Sequence, residues 1–466
     1  MRVYKIIALL IFLFIDSSKI FASEGVWSKE IDAVLNKHGL VKDQYGIEIR
    51  SLDGSHTYYS ANKRKAFNPA STMKLLISTV ALEELGPTYK FSTLVKQSKN
   101  NLCLVGQGDP SLVYEDLFLM VEQLLREPKM NKAKIENIFV DESFFPTVRQ
   151  YGDDFDGDSQ RSFTAPLSSL SLNYNSVTVF VKAGNHLGEK PFVYTEPRSS
   201  YFSIVNQAHT IQKGANTISA DVKPKGDAIE ITVNGNTPLQ SNDRIIYRAI
   251  PDPALYAGSI FKDLLQKSGV IVSGAVQKKL CDANSSELIR YSSQPLSQII
   301  LGMNKFSNNF IAETLLYHLD KKATRQAGLE AMIAWAKSKK LPMENVSIDN
   351  ASGLSRHNAV TPDFLWSLYS YARNTFQIFP ELMTSLPISG NDGTLRRRFQ
   401  TQTTQGMIRA KSGSLRNAVS LAGSIQTAKR GELLFTFLFD TRSKNPSQIQ
   451  YIEEKILEKV VVLGRN

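Results

Sequence analysis

The chain has 466 residues, 42% of them hydrophobic and 21% charged, with 27 Gly, 18 Pro and two Cys. Its length allows two or three domains of roughly 150 residues each, and its composition excludes disordered, collagen-like and coiled-coil classes. Two cysteines exclude both a disulfide framework and a four-cysteine zinc site. The formal net charge of +11 favours an anionic partner, with nucleic acid, a membrane surface and an acidic wall polymer all open at this point.

The N-terminal stretch MRVYKIIALLIFLFIDSSKIFAS has basic residues at Arg2 and Lys5, an apolar core from Ile6 to Ile15, and small residues at Ala22 and Ser23. That core is far shorter than the roughly 20 residues that cross a bilayer. It reads as a cleaved secretory signal over residues 1–22, with an uncleaved N-terminal anchor as the alternative. Cleavage there leaves a charge of about +9 and an exported protein, expected in the periplasm. Export argues against nucleic acid and for cell-envelope material. It also suits pairing of Cys103 with Cys281, although sequence alone leaves their state open.

Next, VWSKEIDAVLNKHG carries Val26, Ile31, Val34 and Leu35 at helical spacing, and Gly39 closes the segment. GIEIRSLDGSHTYYS predicts a hairpin turning at Leu52-Asp53-Gly54. NPASTMKLLISTVALEELGP predicts a helix with Pro69 in its first turn and Gly86-Pro87 at its end. Residues from about 93 to 287 differ: a strand–helix–strand pattern (NLCLVG, DLFLMVEQLL, IENIFVD), then short alternating segments from about 176 to 250. At the C-terminal end, IRAKSGSLRNAVSLAGSIQTAKRGELLFTFLFD predicts three antiparallel strands, and PSQIQYIEEKILEKVVVL an amphipathic helix. A lone hairpin is marginal, so one sheet built from both ends of the chain is expected.

None of the six His residues lies in H-E-x-x-H, and neither G-x-S-x-G nor G-x-x-x-x-G-K-[ST] occurs. Gly106-Gln107-Gly108 lacks the third glycine of a dinucleotide cradle. What does occur is S-x-x-K at Ser71-Thr72-Met73-Lys74. On a helix these two side chains share a face, so a lysine can take the serine proton, and the helix start favours a developing oxyanion.

The motif alone is weak, since it recurs at Ser60–Lys63 and Ser259–Lys262. The first copy reads as polar sequence after a strand, and the second as the interior of a helix. K-[ST]-G likewise occurs twice. Lys267-Ser268-Gly269 has the composition of a helix C-cap, whereas Lys411-Ser412-Gly413 enters strand-rich sequence. There a cation and a hydroxyl along a strand can hold a substrate carboxylate. Ser307-Asn308-Asn309 supplies a serine able to relay a proton and an amide able to bind a substrate amide.

S-x-x-K, S-x-N and K-[ST]-G in this order form the signature set of class A β-lactamases and penicillin-binding proteins. The chain resembles the D-alanyl-D-alanine carboxypeptidase/endopeptidase family of low-molecular-mass class C penicillin-binding proteins (peptidase family S13). About 230 residues separate Lys74 from Ser307, the large insertion of that family. Gly106–Pro110, Ala165-Pro166-Leu167-Ser168, Ser352-Gly353-Leu354-Ser355-Arg356 and Gly390-Asn391-Asp392-Gly393-Thr394-Leu395 support the resemblance. There are departures too. Asn308 stands where β-lactamases often carry Asp, Ser412 replaces the common Thr, and Ala351 stands where Gly is frequent.

The resemblance implies an α/β (α+β) fold: a β-lactamase/transpeptidase-like domain, its antiparallel sheet flanked by helices, split by two inserted accessory domains. Its expected extents are 23–92 with 288–466 for the catalytic domain, 93–178 with 245–287 for the first accessory domain, and 179–244 for the second, β-rich one. It implies a serine-type D-Ala-D-Ala carboxypeptidase and/or endopeptidase without cofactor or metal. The implied partners are peptidoglycan peptides, with β-lactams as covalent inhibitors. Nucleic acid is excluded, and the basic charge leaves peripheral association with membrane or wall open. The implied roles are nucleophile for Ser71, general base for Lys74, proton relay for Ser307 and amide binding for Asn309. Lys411 and Ser412 would hold the carboxylate, Gly413 and Ser414 lie along the binding strand with the Ser71 and Ser414 N–H groups as oxyanion hole, and Arg356 forms the pocket wall. The acidic run Asp153–Asp158 reads as a solvated loop, or, through Asp156, as recognition of a cationic group on the stem peptide. A calcium loop is disfavoured because the position of its glutamate falls on Ala165. A β-lactamase or esterase on the same site and a non-catalytic wall-binding protein are the competing readings.

Overall fold

The computed structural model describes residues 25–130, 134–148, 160–442 and 444–465. Contacts divide the chain into two units, one comprising Met1–Glu84, Ile300–Ser307 and Leu329–Asn466, the other Leu85–Ile299 and Asn308–Gly328. The acidic run with Asp156 and the proposed signal segment lie outside the described residues.

The first unit opens with helix α1 (25–37), ended by Gly39 at φ +64°. The predicted hairpin follows as β1 (Tyr45–Ser51) and β2 (Thr57–Ala61). Ser60 lies inside β2 and not after it, and its hydroxyl donates to the buried Glu48 carboxylate, so this S-x-x-K copy is structural. A 3-10 turn, Ala70–Met73, runs directly into α2 (Lys74–Glu84). Helix α3 (Pro362–Asn374) begins where the Thr361 hydroxyl accepts from Phe364 N, with Pro at its first position. Strands β3 (Ile408–Leu415), β4 (Ala418–Gln426) and β5 (Glu432–Asp440) precede the terminal helix α4 (Pro446–Leu463), capped by Asn445.

The sheet order is β3-β4-β5-β1-β2, all antiparallel, so the two ends of the chain meet where β1 pairs with β5. Side chains alternate across a strand, and this sorts the two faces. Leu433, Phe435, Phe437 and Phe439 of β5 pack with Ile31 and Leu35 of α1 and with Ile452 and Ile456 of α4. Leu434, Thr436 and Leu438 therefore point to the other face, where α3 packs and Tyr369 OH donates to Ser424 Oγ. With both faces covered, β4 is buried from Ala418 to Ile425, and its two buried serines are paired, Ser420 with Pro69 O and Ser424 with Tyr369 OH.

In the second unit the strand–helix–strand pattern is realised as Asn101–Gly106, Tyr114–Leu124 and Ile138–Asp141, the two strands pairing in parallel. They belong to a five-stranded sheet completed by Ser92–Ser98, Val276–Lys278 and Ser286–Ser292. The helix Pro253–Lys267 packs on it, so Ser259–Lys262 is helix interior and Lys267-Ser268-Gly269 a helix end, with Gly269 at φ +87°. Residues 176–249 form short strands in small separate sheets. Cys103 and Cys281 form a disulfide across 178 residues.

Candidate active site

The turn that carries Ser71 is held from several sides. Asn68 Oδ1 accepts from Ala70 N at 2.8 Å, and Asn68 Nδ2 donates to Ser355 O at 3.1 Å. The Pro69 carbonyl accepts from Thr72 Oγ1 at 2.7 Å and from Ser420 Oγ of β4 at 2.6 Å. Ala70 sits at φ +44°, a left-handed conformation that a non-glycine residue adopts only under constraint. The constraint is close packing: a Cβ on Gly353 would lie 1.8 Å from Ala70 O. Only glycine fits there, which accounts for Ser352-Gly353 in sequence terms.

These contacts aim Ser71 at Lys74. Lys74 Nζ donates to Ser71 Oγ at 2.9 Å and to the Ser352 carbonyl at 2.5 Å, and the lysine is wholly buried. The three-residue spacing at the entry of α2 thus places a buried amine on a hydroxyl at the start of a helix, where the dipole favours negative charge.

Within the same unit, the serine of the second motif meets the lysine of the third. Lys411 Nζ donates to Ser307 Oγ at 3.0 Å and to the Ser412 carbonyl at 2.7 Å. Complete burial strips water from this ammonium and lowers its pKa to about 7. Ser307 has φ +57°, a second strained residue at the site. Within β3, a Cβ on Gly413 would come within 2.7 Å of Ser71 N and 2.3 Å of Ser420 Oγ, so the glycine lets the strand approach the turn that carries Ser71. Ser414, one residue on, is exposed and pairs in register with Val419.

Two further expected residues, Asn309 and Arg356, lie in different units. Asn309 falls in the second unit as the first residue of helix Asn309–Leu316, its Nδ2 donating to Phe163 O at 3.3 Å. Asn308 is the N-cap, accepting from Ile311 N. Arg356 is exposed, four residues beyond the Ser352 carbonyl that receives Lys74.

A further set of contacts joins Lys305 to the Gly390–Leu395 loop. Lys305, two residues before Ser307, is buried and donates to Leu386 O at 2.6 Å and Asp392 Oδ2 at 2.7 Å. Asp392 Oδ1 accepts from Ile388 N, and Thr394 Oγ1 lies 2.6 Å from Ser412 Oγ. The only signal for this loop in the sequence was its Gly390–Leu395 composition.

The arrangement provides a hydroxyl in contact with a buried amine, a second serine–lysine pair, and a strand edge beside both. A model of the D-Ala-D-Ala carboxypeptidase 3 (S13) family matches residues 27–459. The chain belongs to that family. Among its relatives is a D-alanyl-D-alanine carboxypeptidase of Actinomadura sp. (strain R39), 28% identical over 439 residues, covering 88% of this chain and 80% of the relative. The DacB D-alanyl-D-alanine carboxypeptidase of Haemophilus influenzae is 25% identical, with 78% and 79% covered. In fold, the chain is similar to penicillin binding protein 4 from Haemophilus influenzae. That match has a TM-score of 0.76, 22% identity, and covers 92% of this chain and 99% of that one. It is also similar to Bd3459, a predatory peptidoglycan endopeptidase from Bdellovibrio bacteriovorus, with TM-score 0.52, 18% identity, and 90% and 92% covered. The S13 family is one of serine peptidases. Membership agrees with the mixed α/β fold, its antiparallel sheet flanked by helices.

Proposed function

We propose that this S13 protein hydrolyses the D-Ala-D-Ala bond of peptidoglycan stem peptides, and the corresponding cross-links, through an acyl-enzyme on Ser71. The observation that carries this reading is the 2.9 Å contact from buried Lys74 Nζ to Ser71 Oγ at the mouth of α2. Neutral Lys74 takes the serine proton as Oγ attacks the carbonyl carbon. The Ser71 and Ser414 N–H groups receive the oxyanion. When the C–N bond breaks, the proton taken up by Lys74 passes through Ser307 to the departing amine, and Lys411, 3.0 Å from Ser307 Oγ, keeps its own proton. Lys411 and Ser412 hold the terminal carboxylate, Asn309 the stem amide, and Arg356 the pocket wall. In the second half-reaction Lys74 takes a proton from water as it attacks the ester carbonyl and returns it to Ser71 Oγ as the C–O bond breaks, releasing the shortened peptide and Ser71.

The protein is proposed to act after export to the periplasm with its signal segment removed, its positive charge aiding association with anionic wall or membrane. Division of the inserted sequence into two accessory domains, the β-rich one spanning 179–244, is part of the same proposal.

Labelled penicillin followed by intact-mass measurement tests the reading. A stable adduct of one penicillin per chain, absent in Ser71→Ala, supports it. Rapid turnover of the β-lactam assigns a β-lactamase instead, and no acylation leaves only a binding protein.

A further inference from the structure

The third motif carries Ser412 where Thr is common, and the substitution has a physical cost. The Cβ methyl of threonine restricts χ1, whereas all three staggered wells are open to serine. A serine hydroxyl meant to meet a carboxylate on a strand edge therefore needs another constraint. Thr394 supplies one, with Oγ1 2.6 Å from Ser412 Oγ.

Thr394 is itself well fixed. It lies in the 3-10 turn Gly393–Leu395, whose Leu395 is fully buried in the core of the first unit. Gly393 has φ +53°, and a Cβ there would lie 2.7 Å from Lys305 O. Asp392 ties the same turn to Lys305 Nζ and Ile388 N. The loop then joins β3 directly: Ile388 bridges Arg409, and Ala410 N donates to Pro387 O at 3.1 Å. Since β3 is an edge strand, this pairing occupies the edge up to Ala410, and Lys411 and Ser412 are the next positions along it.

We propose that Thr394 is a positioning residue for the substrate's terminal carboxylate, orienting the Ser412 hydroxyl from a turn that is also anchored to the segment leading into Ser307. Each hydroxyl has one proton and two lone pairs. With Thr394 donating to Ser412 Oγ, the Ser412 proton is directed to the carboxylate as a charge-assisted bond. This inference rests on the peptidase reading above and names what sets its affinity for a free C-terminus.

A double-mutant cycle on the mature enzyme tests it, with kcat and KM for a D-Ala-D-Ala-terminated peptide. Thr394→Val is expected to raise KM about tenfold, the effect of one positioning hydrogen bond, while kcat changes less than about threefold. Thr394→Ser restores the hydroxyl and the KM. In the Ser412→Thr background, where the methyl constrains the rotamer, Thr394→Val is expected to cost less than about threefold in KM. An equal KM penalty in both backgrounds overturns the proposal, as does a loss confined to kcat and thermal stability, which marks a purely structural turn. Penicillin acylation of the unaltered enzyme, followed by mass, separates the levels. Normal acylation with an equal penalty removes only the role of Thr394, whereas no acylation removes the peptidase reading and this role together.

Discussion

Lys411 shows how burial alone tunes a group. With no water around it, its pKa falls to about 7 from the usual lysine range near 10.4. Its charged form therefore predominates only below about pH 7 in the free enzyme. KM for a peptide with a free carboxylate is expected to rise as pH passes through 7, which a KM profile between pH 6 and 9 will show. A flat profile would assign the carboxylate to another group. The same shift makes the folded state bind fewer protons than the unfolded chain between about pH 7 and 10, so stability from this residue rises with pH there.

Asp109 of the Gly106–Pro110 motif has the opposite sign. Burial raises its carboxyl to about 6, its Oδ2 has no hydrogen-bond partner among the described residues, and Oδ1 receives Ser111 N and Oγ. A raised acid contributes stability below its unfolded pKa near 4 and loses it as pH rises through 6. The loss by pH 8 is on the order of 3 kcal/mol. Asp109→Asn should flatten the dependence of the urea midpoint on pH between 5 and 8. An unchanged slope would mean that Asp109 is ionised in the fold.

At the scale of elements, the site depends on three backbone segments meeting at distances only glycine allows. The 1.8 Å approach at Gly353, with its φ of +82°, is the tightest. Gly353→Ala must displace either its own loop, which carries the Ser352 carbonyl bonded to Lys74, or the Ala70–Ser71 turn. A misplacement near 1 Å costs roughly a hundredfold in rate, so the acylation rate of Ser71 should fall by about that factor. Wild-type acylation kinetics in this variant would show that the turn tolerates displacement. Ala70 and Ser307, both left-handed and both at the site, fit the same picture of strain held by surrounding structure.

At the scale of the whole molecule, the chain leaves the first unit after α2 and returns for the Ile300–Ser307 segment, so residues far apart in sequence share one site. Within the second unit, the Cys103–Cys281 bond closes a 178-residue span. Loop-closure entropy gives an upper bound of about 5 kcal/mol for such a span. Cys103→Ser is expected to lower unfolding stability by about 2–5 kcal/mol while Ser71, in the other unit, is still acylated. Unfolding that is insensitive to both the substitution and a reductant would count against the bond.

Much of this was legible in the sequence, because helices, hairpins and motif order are written in local periodicity and short spacings. The α1 stripe, the Gly54 turn and the three C-terminal strands all follow from patterns spanning fewer than about 20 residues. The sequence by itself also separated Ser71 from its two S-x-x-K decoys, since only Ser71 opens an apolar helix. The tertiary structure decided the rest: the pairing of Cys103 with Cys281, the 3.0 Å contact of Lys411 with Ser307, and the meeting of Thr394 with Ser412. These join segments up to 178 residues apart, and no local pattern encodes which distant backbone a buried lysine or a strained turn will face. Asp392 and Lys305 remained inconspicuous for that reason. Their importance lies in the single loop that ties two motifs together, which exists only once the chain has folded.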